Sequence, residues 1–322
     1  MTYCVGFLLD SGLVFASDSR TNAGVDYIST YSKMHVFQPA DDRLFVLLAA
    51  GNLATTQAVL NRIQRDLHAR GVKGGPGNRP GAPVGGGAGL NNEIGGIPAE
   101  PAVFAEAATP ASAIPRADAA AVAEGPAPAG SAGEEEAGPA AAAGDPEHHD
   151  LLSARYLFEA ADYIGRLSVA VQQEFGPALR QSGASAEATF ILGGQIRGDR
   201  HGLYMIYPQG NAVMATRDTP FLQIGESKYG KPPLDFVGHC GLSLEEAARL
   251  CLISQIITRR SNLTVGPPFE LALVPRDELR IARRVKLSKR APEIGRSLDV
   301  WSRTMQEGLA RLPRFAWEED PL

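Results

Sequence analysis

Met1-Thr-Tyr-Cys-Val-Gly-Phe-Leu-Leu-Asp-Ser-Gly-Leu-Val-Phe-Ala-Ser-Asp18 is the stretch on which the fold of this chain turns. Tyr3, Val5 and Phe7 point to one face of an extended chain, and Cys4, Gly6 and Leu8 to the other; neither set is polar. Side chains alternate across a strand, so this pattern predicts a strand buried on both faces. Asp10-Ser11-Gly12 reads as a tight turn and Leu13 to Ser17 as the returning strand. Such a hairpin ties the amino end into a core and brings Asp18 back beside residue 2.

The placement gives residue 2 a chemistry. Initiator methionine is removed when the next residue is small, so the mature chain is expected to start at Thr2. A terminal threonine carries a hydroxyl nucleophile and a free amine on one residue. That amine, with an ordinary pKa of about 7.7–8.0, is a base matched to neutral pH. It can take the hydroxyl proton directly or through one water.

Outward from this hairpin, the composition narrows the classes. The chain has 322 residues and a net charge of −5, with Lys and Arg scattered, which argues against a nucleic-acid footprint. Its cysteines, Cys4, Cys240 and Cys251, lack metal spacing and sit in apolar stretches, so reduced core thiols in a cytoplasmic protein are expected. No segment approaches the roughly 18 continuous apolar residues of a membrane span. The apolar run after Thr2 is short and has no basic flank, unlike a signal peptide. No cofactor and no metal is expected; His148-His149 reads as a solvated pair beside a linker.

Past Asp18, residues 19–24 read as a polar turn-forming loop, Lys33 to Phe37 as a strand, and Arg43 to Gly51 as a buried strand ending in small residues. From Asn52 the period becomes helical, with Leu53, Gln57, Leu60, Ile63 and Leu67 on one face. A strand passing through Ala-Ala-Gly into a helix start predicts unpaired N–H groups at Gly51 and Asn52, a place for a negative oxygen. Residues 71–149 are rich in Gly, Pro, Ala and acidic side chains, too poor in large apolar groups to offset their ordering entropy. A disordered insertion between two helices is expected there, one whose removal over 74–146 leaves folding intact. Leu152, Tyr156, Ala160, Tyr163, Leu167 and Val171 mark a second long helix. Strands follow over Ala188–Ile196, Leu203–Tyr207 and Ala212–Thr216. Ser243-Leu-Glu-Glu246 is a capping box opening a helix to about Arg260, and Phe269–Pro275 and Leu279–Lys286 close the order. Residues 287–322 are expected to form a partly helical extension around Trp301. This order suits two antiparallel sheets stacked between helical layers, an α+β arrangement, in one domain over 2–70 and 150–286.

Thr2, then Asp18-Ser-Arg20, then Lys33 before a strand, then Ala50-Gly51 opening a helix, resembles the proteasome β-subunit and HslV-type peptidases. More narrowly, Gly51-Asn-Leu-Ala-Thr-Thr-Gln57, Gly225-Glu-Ser-Lys-Tyr-Gly-Lys-Pro232 and Ser261-Asn-Leu-Thr-Val-Gly-Pro-Pro268 resemble the bacterial Anbu, or ancestral β-subunit, branch. The resemblance implies the four-layer αββα sandwich of Ntn hydrolases and a threonine peptidase acting on peptide or unfolded protein. It also implies self-assembly into closed or open helical rings, with an unfoldase partner for folded substrates.

The roles can be argued separately. Thr2 Oγ attacks a carbonyl, its own amine accepting the proton. Lys33 close by favours the deprotonated forms of both groups. Asp18 holds Lys33 charged and oriented; alternatively it is a turn cap after a strand. The Gly51 N–H stabilises the oxyanion, a donor whose loss costs about 10²–10³ in rate, or serves close packing at a helix start. Two positions depart from the proteasome pattern: Gly225-Glu226 stands for Gly-Ser-Gly, and Ser261-x-x-Thr264 for Asp-x-x-Ser. The carboxylate has moved on this reading, with Glu226 orienting the Thr2 amine; pairing of Glu226 with Lys228 or Lys231 is the alternative. Thr21 and Asn22 are implied to lie along the substrate, bound as an added strand. A weakly catalytic assembly protein and an amidase for small amides are the other readings of the same chain.

Overall fold

In the computed structural model, the residues described are 2–22, 28–72 and 149–319. All belong to one unit, residues 1–84 with 148–322. The second unit, 85–147, lies outside the described residues, and so does the insertion expected over 71–149 apart from its end residues.

The opening hairpin forms as expected. Strand β1 (Tyr3–Leu9) pairs antiparallel with β2 (Gly12–Asp18), Cys4 opposite Ser17 and Leu9 opposite Gly12. Both faces of β1 are buried because two layers cover it: Tyr3, Val5 and Phe7 pack into a core against helices, while Cys4 joins a core between sheets. The first sheet runs β10 (Phe221–Gly225), β1, β2, β11 (Phe269–Pro275), β12 (Arg283–Leu287). The second runs β5 (Met34–Ala40), β6 (Arg43–Gly51), β7 (Ala188–Ile196), β8 (Gly202–Ile206), β9 (Ala212–Met214).

Helices cover the outer faces. On the second sheet, α1 (Leu53–Ala69) and α2 (Leu157–Gln181) enclose a core with Phe45, Leu47, Phe190 and Leu192. On the first, α4 (Leu244–Ser261) packs over β1, β2 and β11, with the short α3 (Lys231–Val237) and with α5 (Pro292–Ala310) beside it. Between the sheets lie Leu13, Phe15, Val46, Leu48, Ile191 and Ala272. The result is a four-layer αββα sandwich, an α+β fold built from two antiparallel sheets.

The sequence reading needs correction at several places. Residues 19–24 are not all loop: β3 (Arg20–Asn22) pairs with β4 (Ile28–Thr30). The helix expected from Leu152 starts at Leu157, because Asp150 Oδ1 accepts the Leu152 and Ser153 N–H groups and bends the chain into a turn. Strand β12 starts at Arg283 rather than Leu279, since Asp277 and Leu279 have φ of 65° and 50°, left-handed turn values. Leu53 is not on the core face of α1; it is 37 % exposed at the helix start, and Thr56, Leu60, Ile63 and Leu67 carry the buried stripe. The extension, with six basic and six acidic side chains and so not basic overall, forms α5, with Ile294, Leu298 and Trp301 packed against the core beneath.

Candidate active site

The centre of the site is a carboxylate with no exposed surface. Asp18, at the end of β2, accepts the Tyr3 N–H (2.9 Å) and Lys33 Nζ (2.6 Å) on Oδ1. Its Oδ2 accepts the Arg20 and Gly266 N–H groups, each at 3.2 Å. Burial pushes the Asp18 carboxyl above its ordinary range, against the pull of Lys33 and the Tyr3 and Gly266 N–H groups. All of these contacts are donors, so the geometry accommodates the carboxylate and offers no acceptor to a proton. Lys33 is itself 6 % exposed and places its remaining reach on the Arg20 carbonyl (2.7 Å). It precedes β5 and holds the strand ladder through its own carbonyl, which accepts the Ala49 N–H (3.0 Å). The turn-cap alternative for Asp18 is thus only part of its work: it receives Arg20 N–H as a cap does, and a buried lysine besides.

Gly51 ends β6 with φ of 113°, and a Cβ on it would meet the Glu187 carbonyl at 2.3 Å. Both facts demand glycine. The Asn52 N–H donates to Glu187 O (2.9 Å), so the expectation of a free amide at Asn52 is corrected. That same bond fixes where Gly51 points. In an antiparallel ladder, bonded and non-bonded pairs alternate; Asn52 with Glu187 is a bonded pair, so Gly51 opposite Ala188 is a non-bonded one. The Gly51 N–H is therefore turned away from β7, to the side where Lys33 sits. Strand β5 stops at Met34 and leaves that edge open. Gly51 lines one pocket together with Thr2, Lys33, Tyr31, His35 and Leu53.

On the other flank, Thr2 is held by the turn after β10. Gly225 (φ 82°) lies so close that a Cβ would be 2.0 Å from the Thr2 carbonyl, and the Glu226 N–H donates to that carbonyl at 2.7 Å. The Glu226 side chain is 8 % exposed and accepts Asn262 Nδ2 on Oε2 (3.0 Å). Asn262 Oδ1 in turn accepts the Thr264 N–H (3.0 Å) and Oγ1–H (2.6 Å). So the structure brings Glu226 and Thr264 together through Asn262, a residue the sequence reading passed over. Ser261, the last residue of α4, is exposed; its neighbour makes the contacts instead. Lys231 pairs with Asp235 rather than Glu226 (2.5 Å). Thr21 and Asn22 lie on β3 opposite Ser29 and Ile28.

His35 was also not foreseen. Its Nε2 is fully buried without a partner among the described residues, although part of the ring lines the pocket. Burial pulls its pKa down to about 4, with Glu270 raising and Arg284 lowering it to lesser degrees. Beneath the site Glu270 accepts Ser19, Ser32, Arg284 and Lys286. Burial raises its carboxyl, but Lys286, Ser32 and Arg284 outweigh it and hold the group below the usual range. The signal for Asn262 was its position at a helix C-terminus, where an amide can bond chain ends. The polar pair Ser254-Gln255 inside the apolar Leu250–Ile256 run was a signal as well.

The remaining sequence expectations bear on the margins. Cys4 and Cys251 are buried and Cys240 partly so, all as free thiols. His149 stands 3.8 Å from Glu159, and His148 lies outside the described residues. No helix among the described residues is long and apolar enough to cross a membrane.

No protein-family model and no curated protein matches the sequence. Solved structures do. Anbu from Hyphomicrobium sp. strain MC1, as a Gly-1 mutant, is 32% identical, with a TM-score of 0.69 over 98% of this chain and 99% of that one. The helical assembly of the Anbu complex from Pseudomonas aeruginosa is 32% identical, with a TM-score of 0.68 over 98% of each chain. Anbu, the ancestral β-subunit, from Yersinia bercovieri is 32% identical, with a TM-score of 0.67 over 98% and 99%. With this identity across nearly the whole length, and the same sandwich, the chain belongs to the Anbu family of proteasome-like proteins.

Proposed function

We propose that this chain is a proteasome-type N-terminal threonine peptidase in which loss of Met1 exposes Thr2. One observation carries the reading: the buried Asp18 carboxylate joins Lys33 to the Tyr3 N–H, while the Gly51 amide turns into the pocket that Thr2 and Lys33 share. A buried lysine costs stability unless it is paired, and a pair placed beside a threonine has an evident chemical use.

The steps balance within these residues. Thr2 Oγ attacks the substrate carbonyl carbon while its proton passes to the Thr2 amine. The positive Lys33 Nζ keeps the amine in its free, proton-accepting form at rest and stabilises the developing alkoxide. The Gly51 N–H receives the oxyanion of the tetrahedral intermediate. Collapse breaks the C–N bond, and the leaving amine takes the proton back from the Thr2 ammonium. The remaining ester is cleaved by water, which gives one proton to the Thr2 amine as it attacks; Oγ recovers it on leaving. On this reading Glu226, held by Asn262, orients the Thr2 amine, and β3 with Thr21 and Asn22 carries the substrate backbone.

The Pseudomonas relative is described as a helical assembly, and we assign homo-oligomerisation to this chain as well, with a peptide or unfolded protein as substrate, an unfoldase as supplier of unfolded chains, and the cytoplasm as compartment. A second reading, an assembly protein of weak activity, is favoured by the Glu226–Asn262–Thr264 set, which departs from the proteasome serines and aspartate. Intact mass before and after incubation with a peptide epoxyketone or β-lactone separates the two. Loss of methionine with one adduct on Thr2 supports the peptidase. Retained Met1 blocks the base and supports the assembly reading. Loss of Met1 without an adduct would place the defect at the Glu226 flank. A small-amide substrate would appear as labelling by a β-lactone without cleavage of any peptide.

A further inference from the structure

The residue after the proposed nucleophile is gripped in an unusual way. Backbone groups of a strand flanked by two strands are normally claimed by the ladders. The Glu226 N–H to Thr2 O bond makes residue 2 a bonded position towards β10, so Tyr3, opposite Gly225, is a non-bonded one. The alternation turns both backbone groups of Tyr3 to the other edge, at the very end of the β1–β2 ladder, where Asp18 closes β2. There both groups meet side chains. The Tyr3 N–H donates to Asp18 Oδ1, and the Tyr3 C=O accepts Gln255 Nε2 at 3.1 Å.

Gln255 stands on α4 with no exposed surface, and its Oε1 has no hydrogen-bond partner among the described residues. An amide buried with an unused acceptor is costly, and an apolar side chain would pack in a helix without that cost. The ring of Tyr3 is tied to the same helix. Gln223 Nε2 donates to Tyr3 Oη, Tyr3 Oη–H to Ser254 Oγ (2.6 Å), and Ser254 Oγ–H to the Gly230 carbonyl (2.6 Å). Neighbouring residues of one helix thus hold Tyr3 at both ends, and that helix leads directly to Asn262, which holds Glu226 on the far side of Thr2.

We infer that Gln255 is a positioning residue for Thr2: by holding the Tyr3 carbonyl against α4, it fixes the distance of the Thr2 hydroxyl and amine from Lys33 and from the Gly51 N–H. The inference rests on the peptidase reading. Gln255 touches no substrate and acts through the Tyr3 peptide. A misplacement of about 1 Å costs on the order of 10²-fold in rate, so the effect belongs in the chemical step and not in binding.

The test is the labelling of Thr2 by a peptide epoxyketone, followed by mass and resolved into kinact and KI, on full-length wild type, Gln255→Met and Gln255→Glu, with thermal unfolding alongside. Gln255→Met keeps the volume and removes the donor; kinact is expected to fall about 10-fold to 10²-fold with KI unchanged. In Gln255→Glu, a protonated carboxyl can donate to the Tyr3 carbonyl and an ionised one cannot. Burial raises its pKa, so its kinact relative to wild type is expected to recover as pH falls from about 8 to about 6. Wild-type kinact in Gln255→Met, or a Gln255→Glu ratio flat with pH, would overturn the inference while leaving the peptidase reading in place. If Gln255→Met does not fold, the Gln255→Glu ratio decides alone. A wild type that loses Met1 and takes no label overturns the peptidase reading, and the inference with it.

Discussion

On one flank of Thr2, Asp18 takes donors from Tyr3, Arg20, Lys33 and Gly266 with no surface exposed; on the other, Glu226 is held by an asparagine from a loop beyond a helix end. The first flank is rigid for an energetic reason. A buried ion pair tolerates little change, since removing one partner leaves the other charge desolvated. The second sits nearer the surface and is assembled from turn and loop, where a carboxylate, an amide and a hydroxyl can exchange places provided their hydrogen bonds close. The comparison teaches that the part of such a site hardest to change is the part whose buried charges satisfy one another.

The largest effect should come from breaking the rigid flank. Asp18→Ala strands Lys33 Nζ and the Tyr3 N–H, so a loss of about 3–5 kcal/mol is expected in urea unfolding. A loss well under that would mean that Lys33 escapes to solvent and that the flank is not rigid. Next comes Gly51→Ala, which forces a Cβ towards Glu187 O in a left-handed backbone. The expected cost is about 1–3 kcal/mol, together with loss of covalent labelling at Thr2. An unchanged unfolding midpoint would show that the end of β6 can shift.

Glu226→Gln keeps an acceptor for Asn262 Nδ2, so stability should change by no more than about 0.5 kcal/mol. Labelling at Thr2 should still slow, because the charge proposed to orient the amine is gone; labelling at the wild-type rate would sink the role given to Glu226. The smallest effect is a slope. His35 stays neutral in the fold down to about pH 4, whereas in the unfolded chain it takes a proton near its ordinary 6.5. Its contribution is therefore complete above about pH 6.5 and is lost as pH falls towards 4. Denaturation across that window should show a shallower fall in stability for His35→Gln than for wild type, and parallel curves would refute the burial of the imidazole.

The rigid flank was also the readable one. Thr2, Asp18, Lys33 and Gly51 lie within one stretch of chain, on strands whose apolar alternation fixes register and side. The hairpin, the buried β6 and the capped helix α4 follow the same logic of pattern and cap. The second flank was legible only in part. Glu226 was singled out, but Ser261-x-x-Thr264 suggested a spacing in which Ser261 mattered, and in the fold the end of α4 leaves Ser261 in solvent and turns Asn262 inward. The start of α2 was misplaced because the Asp150 side chain redirected the backbone locally, a contest that composition does not reveal, and β3 and β4, at three residues each, are too short to carry an alternating pattern.

Local order along the chain determined which segments are strands, which helices, and that Thr2 and Asp18 converge, because the period of apolar side chains and the length of a hairpin are properties of neighbours in sequence. Tertiary structure alone decided that Asn52 spends its N–H on Glu187 while Gly51 keeps its own, that Asn262 joins Glu226 to Thr264, and that Gln255 reaches the Tyr3 carbonyl across 252 positions. These are hydrogen bonds between groups far apart in the chain. Whether such a group finds a partner depends on the geometry of packed layers, which no stretch of sequence contains.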